Sequence, residues 1–223
     1  MAAGLIQERP HPDFAAQTRP HDFAAGIGLT PLSAPYAPNE EIYAEEDATK
    51  CVYKVLAGAV RITRHLSDGR RHISAFYLPG EVFGFEPGDA HRFAAEAIAD
   101  SRIAMVRRAQ IEDAALRDPG VGRAMWDLAA QDLERLQEHM LLLGRRSASQ
   151  RVAAFLIELS DRLRDRDTVD VPMSRTDIAD YLGLTIETVS RTLTQFERDG
   201  LIEMPSARHI MIKNRAALER LDF

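Results

Sequence analysis

Apolar positions recur along this chain with different periods, and each period predicts a different kind of element. From Pro38 to about Val106 they fall in short runs broken by turn residues. Glu41–Tyr43, Val52–Leu56, Ala59–Thr63, His72–Leu78, Ala94–Ile98 and Arg102–Val106 are six such runs, punctuated by Gly58, Ser67-Asp68-Gly69 and Pro79-Gly80. Short strands at this even spacing predict a small antiparallel barrel or jelly roll. From Asp118-Pro119 the period becomes helical. Trp126, Ala129, Leu133, Leu136, Met140 and Leu143 are spaced 3, 4, 3, 4, 3, the a/d stripe of a coiled coil. Such a stripe is often only the core face of a packed helix. Leu128, Leu141 and Leu142 lie off it, however, and predict a second face turned to the barrel, which leaves the stripe for another copy of the chain. Gly144 then marks a break or hinge, and Ser147–Arg164 predicts a further amphipathic helix carrying Val152, Phe155, Leu156 and Leu159.

The C-terminal pattern is more specific. Val169-Asp170-Val171 reads as a short strand. Ser174, with Asp177 three residues on, makes a capping-box start for a helix from Arg175 to Tyr181, and Leu182-Gly183-Leu184 makes a tight turn. Thr185 is placed as the N-cap of a second helix, which Asp199-Gly200 ends. Ile186, Val189, Leu193 and Phe196 hold one face of it, and Glu187, Thr188, Ser190, Arg191 and Thr194 stand on the other. Helix, glycine turn, helix with a polar N-terminal face is the helix-turn-helix pattern, whose second helix enters the DNA major groove. A helical hairpin can equally be a packing unit, with Glu187 and Arg191 an ordinary i,i+4 ion pair. The next two segments tip the balance toward DNA. Leu201–Met204 and His209–Lys213 read as two strands joined by a turn around Pro205–Arg208, which makes a wing.

Composition adds limits. The 223 residues, 45% hydrophobic and 28% charged, suit a globular protein of one large or two small domains. Residues 1–35 carry Pro10, Pro12, Pro20, Pro31 and Pro35 and predict a loosely held arm, with Leu5, Ile6, Phe14 and Phe23 available to dock. No apolar run is long enough to span a bilayer and no signal peptide opens the sequence, so no membrane partner and a cytoplasmic location are expected. The net charge of −6 is unevenly placed: residues 145–223 hold 13 basic and 13 acidic residues, and all the excess acid lies before them. A neutral C-terminal part leaves base reading to local placement. Cys51, the single cysteine, excludes an internal disulfide and any multi-cysteine metal cage. It is a candidate redox thiol, weighed against an inert apolar filler. No Ser/His/Asp constellation, Gly-rich phosphate loop or His/Cys metal spacing is visible, so neither an enzyme nor a metal site is expected.

Three stretches carry a resemblance: Leu78-Pro79-Gly80-Glu81-Val82-Phe83-Gly84-Phe85, Arg146-Ser147-Ala148-Ser149-Gln150-Arg151-Val152-Ala153-Ala154-Phe155-Leu156, and Tyr181-Leu182-Gly183-Leu184-Thr185-Ile186-Glu187-Thr188-Val189-Ser190-Arg191. With these motifs in this order the chain resembles the CRP/FNR family of bacterial transcription regulators over nearly its full length. Lacking cluster cysteines, it is most similar to the FixK group of oxygen-related regulators. The resemblance implies an α+β fold: an arm over 1–35, a β-barrel effector-like domain of the cyclic-nucleotide-binding type over 36–117, a dimerisation helix over 118–144 and a winged helix-turn-helix over 145–223. It implies a homodimer on Trp126, Leu133, Leu136, Met140 and Leu143. Glu187 and Arg191 become the main base readers, with Ser190 and Ile186 beside them, on an inverted repeat resembling TTGA…TCAA. Glu accepts from cytosine N4, Arg donates to guanine O6 and N7, and an apolar Ile meets a thymine methyl. Arg175, Thr176, Thr185 and Thr188 are candidate phosphate contacts. Activation of oxygen-limitation genes together with RNA polymerase is also implied.

The effector domain departs from the family's nucleotide pattern. Phe85 stands where the ribose-binding Glu would be, and Phe93, after Arg92, stands where the phosphate-binding Ser would be. A buried phosphate needs several donors, and Phe supplies none. DNA binding without effector or cofactor is therefore expected. The alternative is a sensor of the same family gated by cyclic nucleotide or by haem, with His11, His21 or His72 as the available haem ligands.

Overall fold

The six alternating segments are strands, and two further strands complete their sheets. The computed structural model describes residues 31–145, 147–163, 165 and 167–222. The strands are β1 (Leu32–Tyr36), β2 (Glu41–Tyr43), β3 (Cys51–Ala57), β4 (Val60–His65), β5 (Arg71–Tyr77), β6 (Val82–Phe83), β7 (Ala94–Ala97) and β8 (Ser101–Arg107). They form two antiparallel four-stranded sheets, ordered β1-β8-β3-β6 and β2-β7-β4-β5. Tyr43, Tyr53, Val55, Val60, Ile62, Tyr77, Phe83 and Ile103 are buried together between them. Strand β1 falls partly inside the stretch expected to be an arm: Ser33 pairs with Ala104 and Pro35 with Arg102. An edge strand tolerates a proline because its outward N–H has no ladder partner. The rest of the arm, with His11 and His21, lies outside the described residues. After β6 the chain turns at Gly84, whose φ is 91° and where a Cβ would come 2.9 Å from the Tyr53 ring. Only glycine meets both conditions.

Helix α1 (Arg108–Arg117) follows β8 without a loop, and α2 (Pro119–Arg145) comes next with Pro at its first position. Helix α2 has two faces. Val121, Met125 and Leu128 pack against α1 and the strands, and Asp132, Arg135, His139 and Leu142 continue that inner face toward the C-terminus. On the outer face Trp126, Leu133, Leu136 and Met140 are 72, 56, 42 and 65% exposed. Two expectations need correction here. Leu141 does not face the barrel; it is 58% exposed. Leu143 leaves the stripe and packs with the residues of the C-terminal domain. A 3.6-residue helix drifts about 20° per heptad against a strict seven-residue stripe, and by the end of α2 the seam position has turned inward.

The break also falls later than expected. Helix α2 runs through Gly144, and α3 (Ala148–Leu163) starts from a cap at Ser147. The Ser147 hydroxyl accepts from Gln150 N at 3.3 Å, and Gln150 Oε1 accepts from Ser147 N at 2.8 Å, a capping box. Arg146, Arg164 and Arg166 lie outside the described residues. The remaining elements are β9 (Thr168–Asp170), α4 (Arg175–Leu182), α5 (Ile186–Arg198), β10 (Ile202–Ser206), β11 (His209–Ile212) and α6 (Arg215–Asp222). The wing is a three-stranded sheet ordered β10-β11-β9, and its hairpin turns at Ala207-Arg208, the second half of the expected Pro205–Arg208 turn, with Pro205 and Ser206 still in β10. Among the described residues no helix is long and apolar enough to cross a membrane.

Candidate nucleic-acid interface

Helix α4 opens on the Ser174/Asp177 capping box and closes on Gly183, which takes the left-handed conformation at φ 62°. Arg151 of α3 fixes this turn: its guanidinium donates to Leu182 O at 3.0 Å and to Leu143 O at 2.9 Å. Two residues after Gly183, the Thr185 hydroxyl accepts from Thr188 N at 3.2 Å and caps α5. Val189, Thr192, Leu193 and Phe196 of α5 are buried. Ile186, Glu187, Ser190, Arg191 and Thr194 are exposed. The helix thus spends its apolar face on the core and leaves a polar face of complete turns to solvent.

The charges on that face are suited to different tasks. The Glu187 carboxyl is held below its ordinary value by its own backbone N–H and the Thr185 hydroxyl, so at neutral pH it is a pure acceptor. Arg191, four residues on, lies one turn away on the same face. No ion pair joins the two among the described residues. Of the residues expected at phosphates, Thr176 and Thr185 are exposed. The Thr188 hydroxyl lies 3.1 Å from that of Thr185 and is shared with the cap. Arg175 does not stand open to a phosphate. One of its nitrogens contacts Met204 Sδ on the wing at 3.5 Å, another is buried without a partner, and burial pulls its pKa down. Its guanidinium head is turned to the wing and not to solvent.

Where the family would place a nucleotide, the β-domain holds its own side chains. The His91 and Tyr43 rings stack at 3.6 Å, and Tyr53 and Tyr77 each lie 5.2 Å from Phe83. Glu86 bonds His91 Nδ1 at 2.9 Å and accepts from Arg92 N at 2.6 Å, while Arg108 donates to the Glu86 carbonyl. The His91 ring nitrogen and the Arg92 backbone N–H are thus given to a carboxylate, and the Arg108 guanidinium to a carbonyl. Phe93 packs on the β-domain core with the Arg64 guanidinium 5.9 Å above its ring, and Arg92 is exposed to solvent. These residues do not fit a cyclic nucleotide. At Cys51, burial pushes the thiol up against the opposing pull of Arg107 and Lys50, which disfavours the reactive thiolate. Among the described residues no group of three or more His, Cys, Asp or Glu could hold a metal ion.

Between the domains, the Tyr181 ring of α4 lies 4.9 Å from Phe76 of β5 and stacks 3.9 Å from His139 of α2. A cavity of about 20 Å³ beside them is lined by Asp132, Arg135, His139, Glu158, Arg162 and Tyr181, room for one water. Burial, and then the neighbouring His72, lower the His139 pKa from 6.5 to about 4. A histidine with a depressed folded pKa contributes nothing adverse above its unfolded value and loses stability as pH falls between the two. Against a His139→Phe variant, the wild type should therefore lose about 2–3 kcal/mol more between pH 6.5 and 4. Urea titrations of both proteins across that range check it, and parallel pH profiles would refute it.

Sequence reasoning missed the side chains by which the β-domain holds α4. Asp177 was visible only as a cap. Its partners Arg61 and Arg71 are 116 and 106 residues away, a separation that no local pattern announces.

Residues 34–118 match the model of the cyclic nucleotide-binding domain, and residues 150–221 match that of the Crp-like helix-turn-helix domain. The chain is 46% identical over 209 residues to the nitrogen fixation regulation protein FixK of Azorhizobium caulinodans, covering 92% of this chain and 83% of that protein. To the protein of the same name from Rhizobium meliloti it is 44% identical over 213 residues, covering 93% and 98%. Its fold is similar to the solved structure of FixK2 from Bradyrhizobium japonicum, with a TM-score of 0.84 and 48% identity over 87% of this chain and 98% of that one.

Proposed function

Because the chain belongs to the CRP/FNR family of DNA-binding transcription regulators, on its FixK side, we propose that it acts as a symmetric homodimer whose α5 helices read a TTGA…TCAA inverted repeat without a small-molecule effector. The observation that carries this reading is the exposed face of α5, where Ile186, Glu187, Ser190 and Arg191 are presented by a helix anchored on its other side. Thr176 and Thr185, beside it, set register on the phosphates. The outer face of α2 joins the two chains. Phe85 and Phe93 in place of polar ligands, with Glu86 taking His91 Nδ1 and the Arg92 backbone N–H, support binding without nucleotide. The relatives' name, nitrogen fixation regulation protein, supports a regulatory role, and the proposal extends it to activation of genes used when oxygen is limiting, with RNA polymerase as the partner on DNA.

Footprinting with purified, effector-free protein on a fragment carrying TTGA…TCAA tests the reading. Protection should cover two half-sites roughly 34 Å apart on one face of the duplex. Adding cAMP should leave the operator affinity within about twofold. A rise of about tenfold, or 1.4 kcal/mol, would overturn the effector-free reading.

A further inference from the structure

We infer that Asp177 and Asp180 of α4 are positioning residues, held by Arg61 and Arg71 of the β-domain in an ionic latch that sets the orientation in which α5 meets DNA. The inference rests on the DNA-reading role proposed for α5. Arg61, on β4, is itself buried. Glu96 holds its guanidinium at 2.8 and 2.5 Å and Asn39 at 3.0 Å, and its remaining nitrogen reaches Asp177 Oδ1 at 3.1 Å. Arg71, the first residue of β5, donates to the same oxygen at 2.6 Å and to Asp180 Oδ2 at 2.8 Å. The other Asp177 oxygen accepts from Ser174 N at 3.1 Å and Ser174 Oγ at 2.8 Å. Every acceptor direction of this buried carboxylate is therefore filled. Burial by itself would raise its pKa, but the Ser174 hydroxyl, Arg61, the Ser174 N–H and Arg71 together leave it below the ordinary value.

Two properties make this a device for orientation rather than for adhesion alone. Apolar contacts such as Phe76 on Tyr181 tolerate sliding, whereas the planar Arg71 guanidinium, with Nε on Asp180 and Nη2 on Asp177, ties two positions of α4 in fixed directions. Moreover Asp177 sits in the first turn of α4, whose C-terminal Gly183 leads within two residues to the cap of α5, so any tilt of α4 is passed to α5. The latch thus supplies a constraint on α4 from within the chain.

The test uses Arg71→Asp, the neutral Arg71→Gln and the charge-keeping Arg71→Lys in the full-length protein. Spin labels at Arg102→Cys and Thr194→Cys, in a Cys51→Ser background diluted with unlabelled protein, report the distance from the β-domain to α5 within one chain. Operator affinity is measured in parallel on unlabelled protein. A single narrow distance is expected for the wild type, a broadened or shifted one for Arg71→Asp and Arg71→Gln with about a tenfold loss of operator affinity, and a smaller change in both readouts for Arg71→Lys. An unchanged distance in Arg71→Asp and Arg71→Gln, or a change in Arg71→Lys as large as theirs, overturns the latch. If the wild type does not bind the operator, the DNA-reading role fails, and the distances still decide the latch.

Discussion

Leu136→Glu should leave the protein monomeric at micromolar concentration, where the wild type sediments as a dimer. Helix α2 has 27 residues, a length of about 40 Å. Along its outer face Trp126, Leu133, Leu136 and Met140 are all exposed in the single chain. The apolar stripe from Trp126 to Met140 is about 21 Å long; exposed on a folded surface it marks an interface, and knobs-into-holes packing of two such stripes gives a two-fold dimer. Leu136 lies near its middle, so in a two-fold pair a glutamate there would meet its own mate away from water. Two like charges desolvated together cost several kcal/mol, and the dimer dissociation constant should rise about a hundredfold or more. Leu141→Glu is the control, because Leu141 is as exposed as Leu133 but lies off the stripe. Sedimentation velocity on the three proteins decides the matter. Dimers persisting in Leu136→Glu at wild-type affinity would remove the stripe from the interface.

Legible in the sequence were the features that depend on neighbours along the chain. The strands from β2 to β5 have a local period and turn residues at their ends, and so do β7 and β8. The capping box at Ser174 and the N-cap at Thr185 are patterns of three or four residues, and the buried Val189, Leu193 and Phe196 of α5 follow from its period, whereas Ile186, expected on the same face, stands exposed in the first turn. The misses have matching causes. Strand β1 hides behind Pro35, which only an edge position allows. Strand β6 has two residues, too few for any period. In α1 only Ile111 and Ala114 are buried, so its apolar signal is a single large side chain. Leu143 fits the a/d spacing and still turns inward, because spacing along the chain does not record the drift of the helix or where α3 will pack. The latch was the least legible feature of all. Arg61 and Arg71 sit in strands where a charged residue normally marks the solvent side, and the docking of α4 over β5 covers them, with Arg61 buried and Arg71 half-buried. The Arg175 guanidinium shows the converse, a cation expected at DNA that the fold draws against the wing.

Arg191→Ala should cost about 1–3 kcal/mol per half-site and should relax the preference for guanine at one position of each. Arg191 is exposed on the N-terminal half of α5, one turn from Glu187 and unpaired with it among the described residues, so its guanidinium is available to the bidentate pairing that guanine O6 and N7 offer. Because a symmetric dimer presents it twice, the loss on a palindrome should be roughly double that on a single half-site if the halves act independently. The C-terminal part carries no net charge, with 13 basic and 13 acidic residues. Sequence-independent attraction to the backbone is then weak, and base contacts hold a large share of the affinity. Thr176→Ala should behave differently, lowering affinity for every sequence alike, since a phosphate contact sets register without reading a base. Both variants and the wild type are titrated, at one fixed salt concentration, against the operator and against an operator substituted at the guanine. In the wild type the guanine substitution is costly, and in Arg191→Ala it should be nearly neutral. If Arg191→Ala still discriminates guanine as well as the wild type does, α5 does not lie in the groove with this face inward, and the exposed pair Glu187 and Arg191 is an ordinary solvated helix surface.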